Sequence, residues 1–325
     1  MTAMRLQALL ALGLAASAPA ATLHARPDAS IRASTAANDI LGRWDITVQG
    51  ASGPHPSWLE VELSGSATLV GRFVSQFGSA RPVAKVAHAA DGTYGFEIPP
   101  QWEAGAGNLQ FEGRLDGDRL SGFITEPNGT RAPFTGVRAP DLRHPEPTWG
   151  TPVAIFNGKD LDGWEAMGPA NQWTVVSGIL TNPQGGANLR TKTTHADFKL
   201  HVEFRVPPKG NSGLYLRGRY EVQVEDSKGL DKNSHHQGGV YGFLTPNENA
   251  AGAPGEWQTY DITLVGRLVT VTLNGRTVIR DQEIPGPTGG AMDSNEGEPG
   301  PLYLQGDHTS IEYRKIVMTT PRRGG

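Results

Sequence analysis

The segment NSGLYLRGRYEVQVED, Asn211 to Asp226, carries Arg217, Arg219, Glu221, Gln223, Glu225 and Asp226 within a stretch that otherwise alternates like extended chain. Successive strand side chains point to opposite faces, so Glu221, Gln223 and Glu225 stand in one row while Tyr220, Val222 and Val224 face a core. Arg217 joins that row if parity carries through the turn at Gly218, which a turn does not guarantee. A solvated sheet face favours Lys and Thr, whereas Arg, Glu and Gln make directed hydrogen bonds to the hydroxyls of a polyol such as a sugar. The row also runs straight into DSKGLDKNSHHQGGVYG, a loop rich in Asp, His, Asn and Gly. We therefore read the row as the floor of a site. Asp226, Asp231, His235 and His236 form a ligand-capable cluster next to it, but their spacing matches no established metal signature. A divalent metal is thus left open, its chemistry being polarisation of a carbonyl oxygen.

The elements that must hold this row are strands. The chain has 325 residues, and its 42 Gly and 24 Pro, about a fifth of the total, punctuate many short elements. Residues 39–138 alternate with period two, beginning at Trp44, Ile46 and Val48 in GRWDITV, and Leu115-Asp116-Gly117-Asp118-Arg119-Leu120 is a hairpin signal. Short strands at this spacing predict a small antiparallel β-barrel, and Gly42-Arg43-Trp44 is similar to the opening of lipocalin-like barrels. This part shows no convergent catalytic set. Trp58, Trp102 and Arg72 are able to line a ligand there, although packing is the usual role of such residues.

Residues 139–150, with three prolines, predict a linker. Beyond it, DFKLHVEFRV places Phe198, Leu200, Val202, Phe204 and Val206 on one face and Lys199, His201, Glu203 and Arg205 on the other. Long loops at 226–238, 243–256 and 283–300 read as site walls. The expected architecture is all-β: a small barrel over 39–138, then a second β domain over 151–320 and a tail at 321–325.

At the N-terminus, Arg5, an apolar run from Leu9 to Ala16 and Ala18-Pro19-Ala20 make a signal-peptide pattern over residues 1–20, followed by a polar leader at 21–38. The expectation is export to the periplasm or medium, with no membrane span. The absence of cysteine excludes disulfides and thiolate chemistry, and a net charge of −4 without basic clusters argues against nucleic acid as a partner.

Ordered motifs over roughly 150–320 resemble the 3-keto-disaccharide hydrolase family, which has a concanavalin A-like jelly-roll fold. They include Phe156-Asn-Gly-Lys-Asp-Leu-Asp-Gly-Trp164, Asn211-Ser-Gly213, Leu216-Arg217, Tyr220-Glu-Val-Gln-Val224, Gly238-Gly-Val-Tyr-Gly242 and Gly255-Glu-Trp257. Two departures are Gln258 in place of the usual Asn and a longer 283–300 loop. The resemblance implies a sugar oxidised at C3, whose carbonyl acidifies the C2 proton so that the C1 oxygen leaves by β-elimination before water adds. It implies Glu221 or Asp226 as base, Glu203 as second candidate or orienting partner, and Arg217 as enolate stabiliser. It further implies Gln223 and Asn211 on sugar hydroxyls, Tyr241 or Trp257 stacking on a ring, and His236 as acid or metal ligand. Glu221-Val-Gln223-Val-Glu225 also resembles the E-x-D-x-E strand of jelly-roll β-glucanases. A retaining pair, however, needs carboxyls about 5–5.5 Å apart, and residues four apart on a straight strand lie ~13 Å apart at ~3.3 Å per residue. A lectin-like binding protein and an ordinary β-glucanase are the alternative readings.

Overall fold

The computed structural model describes residues 39–322, so the signal-peptide pattern and leader lie outside the described residues. These contain strands and loops and no helix long and apolar enough to cross a membrane. The first nine strands are β1 (Gly42–Gly50), β2 (Gly53–Ser64), β3 (Thr68–Val74), β4 (Arg81–Val83), β5 (Ala87–His88), β6 (Thr93–Ile98), β7 (Leu109–Asp116), β8 (Arg119–Thr125) and β9 (Arg131–Arg138). They form one antiparallel sheet in the order β4-β3-β2-β1-β9-β8-β7-β6-β5. The expected hairpin is present, with Asp116 opposite Arg119 and Gly117 in the left-handed region that a tight turn requires. Trp44, Ile46 and Val48 are buried as the alternation predicts, and the sheet curls around Phe73, Phe96, Phe111 and Phe134. Its ends approach, β4 lying beside β6, but no ladder joins them. The expected barrel is thus not closed by hydrogen bonds. β4 is three residues long and contains Pro82, which has no N–H to donate.

The second domain is a jelly-roll sandwich of two antiparallel sheets. Its strands are β10 (Val153–Ala154), β11 (Trp164–Met167), β12 (Thr174–Val176), β13 (Ile179–Asn182), β14 (Asn188–Thr191), β15 (Phe198–Arg205) and β16 (Asn211–Leu216). They continue with β17 (Tyr220–Glu225), β18 (Gln258–Val265), β19 (Leu268–Leu273), β20 (Arg276–Glu283), β21 (Tyr303–Leu304) and β22 (Ile311–Thr319). One sheet runs β12-β13-β22-β15-β18-β19-β20, with β10 also on β22; the other runs β11-β14-β21-β16-β17. Between them lies the core, where Phe198, Leu200, Val202 and Phe204 from β15 meet Leu214, Leu216, Val222 and Val224 from β16 and β17. Each such side chain contributes ~1.5–3 kcal/mol on full burial, which suffices for a chain without disulfides.

The two domains are joined by more than the linker. Gly290 N–H donates to the Gln76 carbonyl at 2.8 Å, and the Thr47 and Ser294 hydroxyls meet at 2.6 Å. Both second-domain residues belong to the long 283–300 segment flagged by the sequence, which is therefore a docking segment. Arg43 of β1 reaches Glu283 at its start.

Candidate active site

The floor of the site follows from register. Asn211 pairs with Glu225, Gly213 with Gln223, and Tyr215 with both Glu221 and Tyr303. Antiparallel partners share a face, so these residues form one surface on the side of the β16–β17–β21 sheet opposite the core. A cleft of about 820 Å³ opens above it, lined by Asn188, Asn211, Tyr215, Glu221, Gln223, Tyr303, Gln305, Asp307 and His308 among others. That volume falls within the ~300–1,000 Å³ typical of small-ligand sites. Residues 238–241 cover the free edge of β17: Gln223 N–H donates to the Gly239 carbonyl and Tyr241 N–H to the Glu221 carbonyl. This also brings the Tyr241 side chain to the cleft.

Glu221 is 4% exposed, and burial pushes its carboxyl up to about 8. Its side chain has room because residue 213 is glycine; a Cβ there would lie 2.2 Å from Glu221 Oε1. The Tyr215 hydroxyl lies 2.9 Å from Glu221 Oε2 and 2.9 Å from the Gly289 carbonyl oxygen. A carbonyl only accepts, and the hydroxyl has one hydrogen. Both contacts are satisfied when Tyr215 donates to Gly289 and a protonated Glu221 donates to Tyr215, in accord with the raised pKa. Tyr303 stacks on Tyr215 with ring centroids 4.2 Å apart.

Beside this acid, Gln223 Nε2 donates to Asn211 Oδ1 at 3.0 Å, while Gln223 Oε1 is buried without a partner among the described residues. A buried acceptor left open in a cleft awaits a donor such as a ligand hydroxyl. At the rim, Asp307 Oδ1 lies 2.5 Å from His308 Nδ1, and this hydrogen bond raises the imidazole's pKa. Burial alone would raise Asp307, but its bonds with His308 and Asn188 hold it below the usual carboxylate range. Asn188 Oδ1 accepts the Gly306 and Asp307 N–H groups, fixing the turn that presents the pair.

Of the residues read from the sequence, Glu221, Gln223, Asn211 and Tyr241 line this cleft; five do not. Arg217 sits in a tight turn with positive φ at both Arg217 and Gly218. The turn breaks the alternation and sends the guanidinium to the Tyr220 hydroxyl at 2.7 Å, away from the floor. Glu203 lies on the outer face of β15, in the other sheet, held by Arg314 and Lys315. Trp257 is on that side too, its ring between Arg205 and Arg314. Asp226, just past β17, accepts the Lys209 N–H. His236 donates Nδ1–H to the Asp231 carbonyl. Among the described residues no group of three or more His, Asp and Glu converges as a metal site, and the Asp226–Asp231–His235–His236 cluster is dispersed among these local bonds.

Sequence reasoning missed Tyr215, Asn188, Tyr303, Gln305, Asp307 and His308. The signal for four of them was present: Tyr215 alternates with Leu214 and Leu216, Asn188 precedes Leu189, and Tyr303 and Gln305 flank Leu304. Two of those strands are too short to read by periodicity.

The β-sandwich carries a polar cleft on one sheet, floored by a buried carboxyl, amides and stacked tyrosines, and together with the family match below this makes it a carbohydrate-active enzyme of the glycosidase class. Residues 151–319, just over half of the 325, match the 3-keto-alpha-glucoside-1,2-lyase-like domain, and the chain belongs to that family. Among solved structures, a protein of Parabacteroides distasonis proposed as a glycosyl hydrolase is 29% identical over 57% of this chain and 94% of its own, with a TM-score of 0.45. Another from the same organism is 24% identical over 53% and 100%, with a TM-score of 0.42. A Bacillus licheniformis β-glucanase is 12% identical over 53% and 99%, with a TM-score of 0.36. No curated protein matches the chain.

Proposed function

We propose that this protein cleaves the glycosidic bond of 3-keto-glycosides by β-elimination followed by hydration. The observation that carries the reading is Glu221: a buried carboxyl in the cleft floor with a pKa pushed up to about 8. The other carboxyl lining the cleft, Asp307, is engaged by His308, and Glu225 is four residues along the strand. A lone carboxyl of raised pKa suits proton abstraction from carbon, since a stronger base forms when it ionises.

In this reading ionised Glu221 removes the C2 proton and the electron pair moves to the C3 oxygen, forming an enolate. The enolate collapses to the ketone, the C1–O bond breaks, and the departing oxygen takes a proton from the His308 imidazolium, the form that the hydrogen bond to Asp307 favours. Water then adds to C1 of the enone and a proton returns to C2. Gln223 Oε1 and the Asn211 amide bind ring hydroxyls. His308 takes over the acid role first given to His236, which does not line the cleft. The N-terminal pattern supports an exported enzyme, which N-terminal sequencing of the mature protein would check.

The test is turnover of 3-keto-trehalose and of trehalose in D2O, followed by NMR. Deuterium at C2 of the released 3-keto-glucose above the enzyme-free control supports elimination; full retention of the C2 proton together with equal turnover of the C2-protio and C2-deuterio substrates overturns the mechanism. Glu221→Gln should lower kcat/KM by about 10²–10⁴-fold. The wild-type kcat/KM should climb as pH approaches about 8, because the base must ionise.

A further inference from the structure

The cleft is not closed by the second domain alone. Its opposite wall is His55, Gln76, Phe77, Gln101 and Trp102 of the first domain. Two of these are exposed aromatics: Phe77 and Trp102 stand 46% and 41% exposed, in edge-to-face contact at 5.0 Å. Two exposed rings in contact at a cleft mouth offer a flat apolar face on which a ligand ring can stack.

The loop that carries Trp102 is unusually well fixed. Arg81 and Glu103 form a buried ion pair at 2.6 Å, with side chains 10% and 2% exposed. Arg81 also holds the Pro99 carbonyl, and Glu103 Oε2 accepts the N–H groups of Gln101 and Trp102. Gln101 is bound in turn to Ser79 through both ends of its amide. A buried ion pair is an expensive way to stabilise a fold; here it rigidifies a turn whose tip meets solvent and the cleft. The Phe77 turn is secured from the other side. Gly290 donates to Gln76, and a Cβ on Gly289 would lie 2.2 Å from the Gly78 carbonyl, so the two domains touch backbone to backbone beside the platform.

We propose that Phe77 and Trp102 form the subsite for the leaving group, accepting a ring that stacks: a second pyranose through its C–H face, or an aromatic aglycone. This rests on the reading of the cleft as a keto-glycoside site. The catalytic sheet would hold the oxidised sugar, and the first domain would select what is attached to it.

The experiment compares wild type with Trp102→Ala and Phe77→Ala on three 3-keto-glucosides whose leaving groups are methanol, phenol and glucose. Both side chains are exposed, so the variants should unfold at the wild-type temperature. The expected result is that kcat/KM for a ring-bearing substrate, divided by that for the methyl glucoside, falls by about 2- to 10-fold in each variant. A fall for the glucosyl substrate alone assigns the subsite to sugars, and for the phenyl substrate alone to aromatic aglycones. Unchanged ratios for both overturn the proposal. Calorimetric binding of unoxidised trehalose and methyl glucoside separates this inference from the catalytic one. Tighter binding of trehalose by wild type, lost in Trp102→Ala, sustains the subsite even if no keto-sugar is cleaved. Equal binding of the two sugars by wild type counts against it.

Discussion

Burial gives Glu221 two properties that pull in opposite directions. Removing the carboxyl from water strengthens it as a base once ionised, and the same desolvation makes ionisation costly to the fold. Below the ordinary Glu pKa of 4.5 the group is protonated whether the chain is folded or unfolded. Between 4.5 and about 8 only the unfolded chain ionises, so stability falls as pH rises through that window. Glu221→Gln removes this loss. Its melting temperature should therefore gain on that of wild type between pH 4.5 and pH 8.5, by at least ~2–4 °C, measured by thermal unfolding at both pH values. A difference independent of pH would mean that the carboxyl is already ionised in the folded protein. At this scale the sequence was informative about type and face: alternation put Glu221 and Gln223 on one row, and the family resemblance added Asn211. That the Tyr215 hydroxyl would bridge the Gly289 carbonyl and this carboxyl was not legible, because Gly289 lies 74 residues away along the chain.

At the scale of elements, the β16–β17 hairpin makes the site by register. Gly213 stands opposite Gln223 and leaves the space that Glu221 occupies. Gly213→Ala would put a methyl group where Glu221 Oε1 now is. We expect a loss of ~1–3 kcal/mol in stability from overpacking and a drop of at least tenfold in kcat/KM. In the Glu221→Gln background the same change should cost little further activity, since residues acting through one contact are not additive; a full additional loss would assign Gly213 another role. Period-two alternation held along β15, β16 and β17, and it failed at the turn between the last two. Positive φ at Arg217 and Gly218 rotates the arginine off the row, and no rule of alternation passes through such a turn.

At the scale of the whole molecule, a buried polar network joins the domains. Arg267 forks onto Glu296 at 2.6 and 3.0 Å, the Tyr220 hydroxyl donates to Glu296 at 2.6 Å, and Arg217 donates to Tyr220. Asp45 of β1 faces this carboxylate, and burial together with Glu296 pushes its pKa up to about 9. Asp45 is thus neutral in the folded protein at pH 7. Its contribution is lost progressively as pH rises from 3.8, where the unfolded chain ionises, and is gone above about 9, where two carboxylates would meet. Proteolysis within 139–150 should accelerate in wild type as pH rises toward about 9 and level off above it, and Asp45→Asn should flatten that rise; an equal rise in both would leave the network out of domain docking. By itself the sequence determined the longer strands, their core faces and the common row of Glu221 and Gln223, because the alternation of side chains is a local property of extended backbone. Only the tertiary structure decided that Arg217 belongs to the domain junction, that Asp307 and His308 meet the floor, and that the first domain walls the cleft. Those contacts join residues tens to hundreds of positions apart, and their geometry is set by turns and docking, for which no local periodicity exists.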